Sequence, residues 1–394
     1  PHRQWSRGLG DLYKRQLLLL FFFINFYKIH GQNSDISFSV NGYVKYLPSY
    51  IDYNLKPSTW IPASLLESQS THLIHNRLNM RGYFGNNLTL GIELRNRIMF
   101  GDLQPIQSDP GWIDMSFYVL DKPKLIFHSM VDRLWIKYQK NKLEINIGRQ
   151  RVNWGVNTIW NSNDLFNAYN FIDFDYIERP GSDVVRIIYT GDNLSSIEFV
   201  FMPTSKGRNV FAGMYRFNKL GYDFQIIGAD YYEDIVIGGG WAGNILKAGF
   251  KGEMSYFINK YLDNSFSLSS SVDYSFKSGY YLLLSYLYNS QGRNSPGLMN
   301  FINLTDNELS ARNLMPSKNS YLLQISKPIS PPVNASLTAM YGAGINLVYL
   351  SPSISFDVNS RIDLNLIGQV FFLENTQKLE NLMRGVYVQM KYSF

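Results

Sequence analysis

Short segments in which apolar and polar side chains alternate recur from residue 36 to the end of the chain. In the clearest of them, Ser265 to Phe276, apolar or aromatic residues occupy most even positions, and serines and one aspartate occupy the odd positions. Successive side chains of a strand point to opposite faces, so this pattern predicts a strand with one apolar and one polar face.

Eighteen segments show this alternation. They are 36–47, 72–84, 88–100, 127–138, 142–151, 183–190, 195–202, 210–217, 222–232, 235–243, 247–258, 265–276, 280–290, 319–327, 335–343, 348–358, 361–373 and 383–394. The alternation is weakest in 235–243 and 335–343, where Gly is abundant, so the predicted count is 16 to 18 strands, with 18 favoured.

The connections between these segments alternate in length. Long ones, such as 48–70, 101–124, 155–182 and 291–318, mostly take turns with connections of a few residues. Short turns at one end and longer loops at the other are typical of bacterial outer-membrane barrels, whereas a soluble sandwich has no reason to sort its loops. We therefore predict an all-β fold, a closed, antiparallel, up-and-down transmembrane β-barrel.

The last nine residues, Val386–Phe394, alternate in the same way and stop on an aromatic residue. This stretch resembles the terminal strand by which the barrel-assembly machinery recognises outer-membrane barrels, although alone it also fits the edge strand of a soluble sheet. An open sheet edge is not tolerated in lipid. We therefore expect 383–394 to pair with 36–47.

An apolar run, Leu17 to Ile24, follows Lys14 and Arg15 and precedes a polar change of composition at Gly31. This layout predicts a secretory signal peptide over residues 1–31, with a buried helix of the mature protein as the alternative. Residues 1–16 resemble translated linker sequence, since the chain starts with Pro. The mature protein is then a single barrel domain, 32–394.

Composition narrows the function classes. Charged residues make up 17% of the chain and aromatics 15%, and there is no Cys, which excludes disulfides and thiolate metal sites. Residues 1–31 hold five Lys and Arg against one Asp, which leaves 32 basic and 30 acidic residues in the rest. This balance argues against nucleic acid as a partner. Without a nucleophile motif or a His cluster on one strand face, we expect no catalytic site, cofactor or metal.

Basic residues concentrate on the predicted polar faces of the amino-terminal half. These candidate pore-lining residues are Arg77, Arg81, Arg95, Arg97, Arg133, Lys137, Arg149, Arg151 and Arg186, with Glu93 as an in-phase acid. Arg149 breaks the phase of its strand and would lie either at the rim or on a bulge. A bulge is favoured, because an Arg facing lipid away from the interface costs about 2–4 kcal/mol.

The connection 155–182 is acidic and too apolar for a freely solvated loop. We expect it to fold inward as a constriction loop that opposes the basic wall, an arrangement that would orient and filter polar solutes. Its expected residues are Trp154, Trp160, Asp164, Asp173, Asp175 and Glu178. The alternative, in which ion pairs merely hold the loop to the wall, stays open.

Three motifs surround this loop: Gly148–Gly155 (GRQRVNWG), Trp160–Asn167 (WNSNDLFN) and Glu178–Asp183 (ERPGSD). Together they resemble porin-type outer-membrane proteins of Bacteroidota, and the Gly-Arg-Gln strand followed by Trp-Gly resembles carbohydrate and alginate-export porin families. The resemblance covers about forty residues. It implies a passive channel but does not fix the solute.

The expected function is passive diffusion of small polar or anionic solutes through a water-filled lumen narrowed by 155–182. The expected location is the outer membrane of a Gram-negative bacterium, with lipid and solutes as partners and both termini periplasmic; a homo-oligomer is left open. The alternatives are a lipase-like barrel enzyme and a structural or adhesive barrel with a blocked pore.

Overall fold

A computed structural model describes residues 35–55, 67–102, 109, 111–167, 178–205, 207–305, 310–375 and 378–394. The predicted signal peptide, 1–31, lies outside the described residues. Nineteen strands and one short helix make up the described secondary structure.

The strands are β1 (Ile36–Tyr53), β2 (Gln69–Phe84), β3 (Leu88–Gly101), β4 (Ser116–Lys122), β5 (Leu125–Lys140), β6 (Leu143–Gln150), β7 (Ser182–Thr190), β8 (Ser196–Met202), β9 (Val210–Lys219), β10 (Tyr222–Tyr231), β11 (Asp234–Ile245), β12 (Ala248–Asn259), β13 (Ser265–Ser275), β14 (Tyr281–Asn289), β15 (Asn319–Ser330), β16 (Val333–Ala343), β17 (Leu347–Asn359), β18 (Ile362–Asn375) and β19 (Lys378–Ser393). The helix α1 spans Leu298–Thr305.

Eighteen of the strands close into an antiparallel barrel. Each pairs with its neighbours in chain order, and β3 pairs with β5 because β4 is a short arm hydrogen-bonded only to β5. The ring closes where β1 pairs with β19, from Tyr43 opposite Ser393 to Tyr53 opposite Met383. The predicted barrel, its 18 strands and the adjacency of the first and last strands are confirmed.

The outward face of the barrel is apolar. Exposed residues on this face include Ile187, Phe199, Phe211, Ile226 and Ile237, each between 39% and 60% exposed. A sheet can expose such a surface to lipid because every backbone group of a closed barrel is paired within the sheet. Among the described residues, no helix is long and apolar enough to span a membrane.

The two ends of the barrel differ. At the terminal end, which holds the start of β1 and the end of β19, eight short turns join the strands. At the opposite, loop end, connections extend up to the 31 residues between Gln150 and Ser182. The loop sorting expected from the sequence is therefore present.

Two elements within predicted connections were not expected. The arm β4 lies inside 101–124 and α1 lies inside 291–318. Neither shows the sustained alternation of the barrel strands. The strand β4 has seven residues and pairs only with β5, and α1 is a helix of eight residues. The first strand also continues to Tyr53, six residues beyond its predicted end at 47.

Candidate pore and its inward loop

Residues 151–167 follow β6 and fold into the barrel, where they contact the inner wall formed by β8 to β13. We call this segment the inward loop. Trp154 and Trp160 are 0% and 2% exposed, and every residue from Trp160 to Leu165 is buried. The described part of the predicted constriction loop therefore occupies the barrel interior.

Glu253 of β12 is the principal polar anchor of this loop. Its carboxylate accepts hydrogen bonds from the backbone N–H groups of Val156 (2.5 Å), Asn157 (2.5 Å) and Asn163 (2.9 Å). The side chain is fully buried. A buried carboxylate is tolerated only where hydrogen bonds replace its hydration, and here the loop backbone supplies them.

Serines of β12 and β13 hold the loop next to Glu253. Ser255 donates to the Ser162 carbonyl (2.9 Å), Ser269 to the Trp160 carbonyl (2.8 Å) and Ser271 to the Asn157 side chain (2.5 Å). The polar face of β13 matches a wet lumen in composition, yet Ser265, Ser267, Ser269 and Ser271 are at most 2% exposed. The hydroxyls of Ser269 and Ser271 bind the loop, and that of Ser265 lies 3.5 Å from the Arg312 carbonyl of the β14–β15 connection, so protein covers a face that sequence alone assigned to water.

A glycine notch in β11 receives Asn163. The Asn163 amide donates to the Gly239 carbonyl (2.8 Å), and a Cβ atom at Gly238 would lie 2.9 Å from the Asn163 Oδ1 atom. A side chain at this position would therefore push the loop from the wall. The run Gly238-Gly239-Gly240 is a site of close approach, one of the two roles that Gly inside a strand indicates.

Apolar packing adds to these bonds. The inward loop contributes Val152, Trp154 and Leu165 to a core built with inward-facing residues of neighbouring strands, namely Val184, Val200, Ala212, Met214, Ile227, Ala229, Val236 and Phe257. The Trp154 indole also donates to Glu198 (2.7 Å), which binds Arg186 through two contacts of 2.6 and 2.8 Å.

The connection between β14 and β15 also packs inside the barrel. Phe301 and Met315 are fully buried in a second core, which includes Trp160 of the inward loop. Wall residues Leu287, Leu322, Met340, Leu347, Tyr349, Phe371, Leu373 and Met383 complete it. The loop-end half of the wall from β7 to β19 is therefore covered by protein, and the inward loop shares its buried clusters with this second connection.

The opposite wall carries a cluster of buried charges on β2, β3 and β5. Arg77 forms ion pairs with Asp132 (2.8 Å) and with Glu93, and Arg133 lies 3.4 Å from Glu93. Arg95 is 4.0 Å from Asp132. We call these five residues the charge cluster, in which three guanidinium groups share two carboxylates.

Asp132 is one of the inward residues that the sequence pattern did not predict. A strict alternation along β5 that turns Arg133 inward would turn Asp132 outward, but the pairing of β5 with β3 shifts between Glu93 and Leu94. The resulting bulge leaves Asp132 unpaired across the ladder and turns both residues inward. Asp132 is 1% exposed. The wall is thus less basic than predicted.

The other predicted pore-lining residues take varied positions. Arg81 is exposed, and Arg97 is partly buried beside His128. Lys137 pairs with Glu144 at 3.7 Å, and Arg151 donates weakly to Asn153 at 3.4 Å. With Arg186 bound to Glu198, most of these cations lie beside an acceptor.

The favoured prediction that Arg149 lies on a bulge is wrong. The pairing of β6 runs in continuous register through Arg149, opposite Leu134 on β5 and Asp183 on β7, so the described strands have no bulge there. Its guanidinium is 2% exposed and binds Asp109 (2.5 Å), Asp183 (2.8 Å) and the Ile113 carbonyl (2.6 Å). Arg149 lies at the loop end of its strand, where the segment before β4 encloses it.

Of the predicted acids in the loop, Asp164 forms an ion pair with Arg179 of the same connection. Burial raises the pKa of Asp164 to about 6, although Arg179 opposes this shift. Glu178 accepts a hydrogen bond from the Tyr43 hydroxyl (3.0 Å) on β1. Asp173 and Asp175 lie outside the described residues.

Toward the terminal end, the lumen contains a polar cavity of about 350 Å³. Its lining includes Tyr43, Lys45, Glu178, Gln389 and Lys391. Both lysine ammonium groups lie near the Tyr43 ring, 6.0 and 5.8 Å from its centre. Lys45 and Lys391 follow the outward residues Val44 and Met390 in their strands, so the alternation of side chains places both lysines on the inner face. The sequence pattern alone could therefore have identified them as inward residues.

The described residues contain no group of three or more His, Cys, Asp or Glu side chains arranged to hold a metal ion. The binding features of this interior are hydrogen-bond donors, acceptors and paired charges. Such groups can position a polar solute without any covalent chemistry.

No known family model matches the chain, and no curated protein sequence matches it. Solved structures share its fold. Pseudomonas aeruginosa OpdQ superposes with a TM-score of 0.58 and 8% identity, over 91% of this chain and 97% of that one. Acinetobacter baumannii OccAB3 gives a TM-score of 0.58 with 8% identity, over 91% and 99%. For P. aeruginosa OccK5 (OpdH) the values are 0.56 and 7%, over 90% and 98%. The chain therefore has the closed barrel architecture of these proteins along nearly their whole length.

Proposed function

We propose that this protein is an outer-membrane, porin-like channel for passive diffusion of small polar or anionic solutes. The observation that carries the proposal is the inward loop, which Glu253 holds inside a closed barrel on the wall opposite the charge cluster. A barrel of this strand number encloses more space than wall side chains fill. The inward loop fills the side of that space next to β8 to β13, so the open path lies on the other side.

The route that fits this arrangement runs along β1 to β6. The opposite half of the wall is covered at the loop end by the two apolar cores, whereas β1 to β6 present Arg97, Arg133 and Lys137 with partial exposure. Three cations on the charge cluster against two acids leave an excess of positive charge. This excess favours anions over cations in the narrow part of a pore.

The membrane orientation is part of the proposal. Short turns of outer-membrane barrels face the periplasm, so the terminal end and both termini would be periplasmic. The relationship to porin-type proteins of Bacteroidota, and insertion by the barrel-assembly machinery through Val386–Phe394, are proposed on the sequence motifs described above.

Planar-bilayer recording of the purified barrel tests this function. We expect discrete conductance steps and, in a salt gradient, a reversal potential that indicates modest anion preference. Liposomes containing the protein should swell in small polar solutes. A folded barrel without steps or swelling would instead be a blocked structural barrel, and hydrolysis of ester lipids would indicate an enzyme.

A further inference from the structure

Three short turns at the terminal end each expose a leucine. Leu194, Leu220 and Leu246 are 80%, 89% and 96% exposed and lie in the turns β7–β8, β9–β10 and β11–β12. These turns are consecutive around the ring. Neighbouring strands lie about 5 Å apart, so the leucines stand about 10 Å from one another in a row along the rim.

Backbone conformation makes these leucines unusual. All three have positive φ, at 59°, 55° and 56°. That region favours Gly, Asn and Asp and disfavours larger side chains. At the turn β5–β6, the corresponding residue is Asn141, with φ of 54°. Each leucine is therefore disfavoured both by its backbone and by its exposure to water.

The remaining short turns of the terminal end are polar or contain Pro and Gly. Their central residues are Gly85-Asn86-Asn87, Asn141-Lys142, Lys277-Ser278-Gly279, Pro331-Pro332 and Ser360-Arg361. Outside the arc from β7 to β12, the β15–β16 turn is apolar through Pro331-Pro332 and the 64% exposed Ile329, but exposed leucines at the tips of the terminal-end turns are confined to that arc.

This arc continues the outward apolar surface. Tyr189 and Ile197 flank Leu194 on the outer face, and Ile245 precedes Leu246, with exposures from 41% to 52%. Exposed lysines accompany the leucines: Lys219 precedes Leu220 and Lys247 follows Leu246. Leucine beside lysine is the pairing by which segments bind at a membrane surface, because the apolar side chain enters the interface and the ammonium meets lipid phosphates.

We propose that Leu194, Leu220 and Leu246 form a lipid-binding rim that anchors the β7–β12 arc of the barrel in the headgroup region of the membrane. The occupant is a phospholipid surface, contacted by the leucines at the acyl boundary and by Lys219 and Lys247 at the phosphates. The inward loop docks on this same arc, so the anchor would steady the wall that carries it. The proposal rests on the proposed membrane location and not on conduction.

Because the chain has no Cys, single cysteines can be labelled without background. Leu194→Cys, Leu220→Cys and Leu246→Cys would each carry an environment-sensitive fluorophore, with Ser278→Cys and Asn86→Cys as matched controls on polar turns. The folded barrels would be reconstituted in phosphatidylcholine vesicles with phosphatidylglycerol and trace nitroxide-labelled phospholipid. Folding is verified by heat-modifiable gel migration, independently of any channel current.

We expect probes at the three leucine positions to emit at shorter wavelength than the controls and to be quenched by nitroxide lipid at least about twofold more strongly. Emission and quenching equal to those of the controls would overturn the proposal. A short-wavelength emission without lipid quenching would also overturn it, since protein would then cover the row. Failure of the channel recordings alone leaves these readouts unaffected.

Discussion

At the residue scale, Glu253 fixes the inward loop. Its carboxylate is bonded to three backbone N–H groups, and no sequence signal separates it from other acids on strand faces. Strand phase turns Glu253 inward, but its partners come from a connection about ninety residues away. Such a role depends on tertiary contact and could not be predicted from the sequence.

Replacing Glu253 with Ala should loosen the loop. Each buried N–H left without an acceptor costs about 1–3 kcal/mol, so the docked position loses several kcal/mol. We expect larger or noisier single-channel currents than those of the native protein. Glu144→Ala is the control, because Glu144 is partly exposed and makes a 3.7 Å ion pair outside the loop. Equal currents in native and Glu253→Ala channels would exclude this anchoring role.

The charge cluster depends similarly on Asp132. Asp132→Asn removes one of two carboxylates that compensate Arg77, Arg95 and Arg133. Leaving buried charges unpaired is expected to destabilise the barrel by about 3–5 kcal/mol and to increase anion preference. Denaturant unfolding and reversal potentials measure the two effects.

Asp363→Asn serves as the comparison, since the Asp363–Lys391 pair is about one-third exposed and should contribute less than about 1 kcal/mol. If both substitutions cost the same, the cluster is not a buried network.

At the scale of elements, the alternation of side chains was sufficient to predict all 18 barrel strands. The period-two pattern holds wherever a strand has an apolar outward face and a different, inward face. It failed at the Asp132 bulge, where one extra residue reverses the phase, and at β4 and α1, which do not span the wall. Loop docking could be predicted only in outline, from the apolar content of 155–182.

The glycine notch of β11 offers a test of docking that changes no charge. Gly238→Ala would place a methyl group 2.9 Å from the Asn163 Oδ1 atom and displace the loop. We expect Gly238→Ala channels to give larger or noisier single-channel currents, as Glu253→Ala channels should. Gly228→Ala on β10 is the matched control, because its Cβ would meet no atom within 4 Å. If Gly238→Ala and Gly228→Ala give the same single-channel currents, close approach at Gly238 does not hold the loop.

Closure of the ring can be tested by crosslinking. Val44 of β1 faces Tyr392 of β19 in the pairing register. Cysteines placed at directly opposed positions of antiparallel strands have Cα atoms about 5.5 Å apart, which suits a disulfide. Val44→Cys with Tyr392→Cys should therefore crosslink on oxidation and change gel mobility.

The pair Val44→Cys with Val388→Cys, four residues out of register, should not crosslink. Efficient crosslinking of this control, or none in the matched pair, would mean that β1 and β19 are paired differently.

At the scale of the whole molecule, the barrel has an asymmetric interior. One half of its wall holds apolar cores and two connections, and the other half holds the charge cluster and the polar cavity at Tyr43 and Lys45. Fold and strand count follow from the sequence pattern, and so does the position of several charged side chains, such as Arg77 and Glu93, on the inner face. The covering of the half with the apolar cores does not follow from the sequence. The strands there have polar inward faces, such as the serines of β13, which look suited to water but are covered by protein.

The most direct test of a pore narrowed by the inward loop is single-channel conductance after deletion of residues 158–176. Folding of the deletion variant is checked by heat-modifiable migration. We expect discrete steps in the native protein and conductance several-fold higher in the variant, with weaker ion selectivity. Unchanged conductance in a folded variant would contradict this expectation.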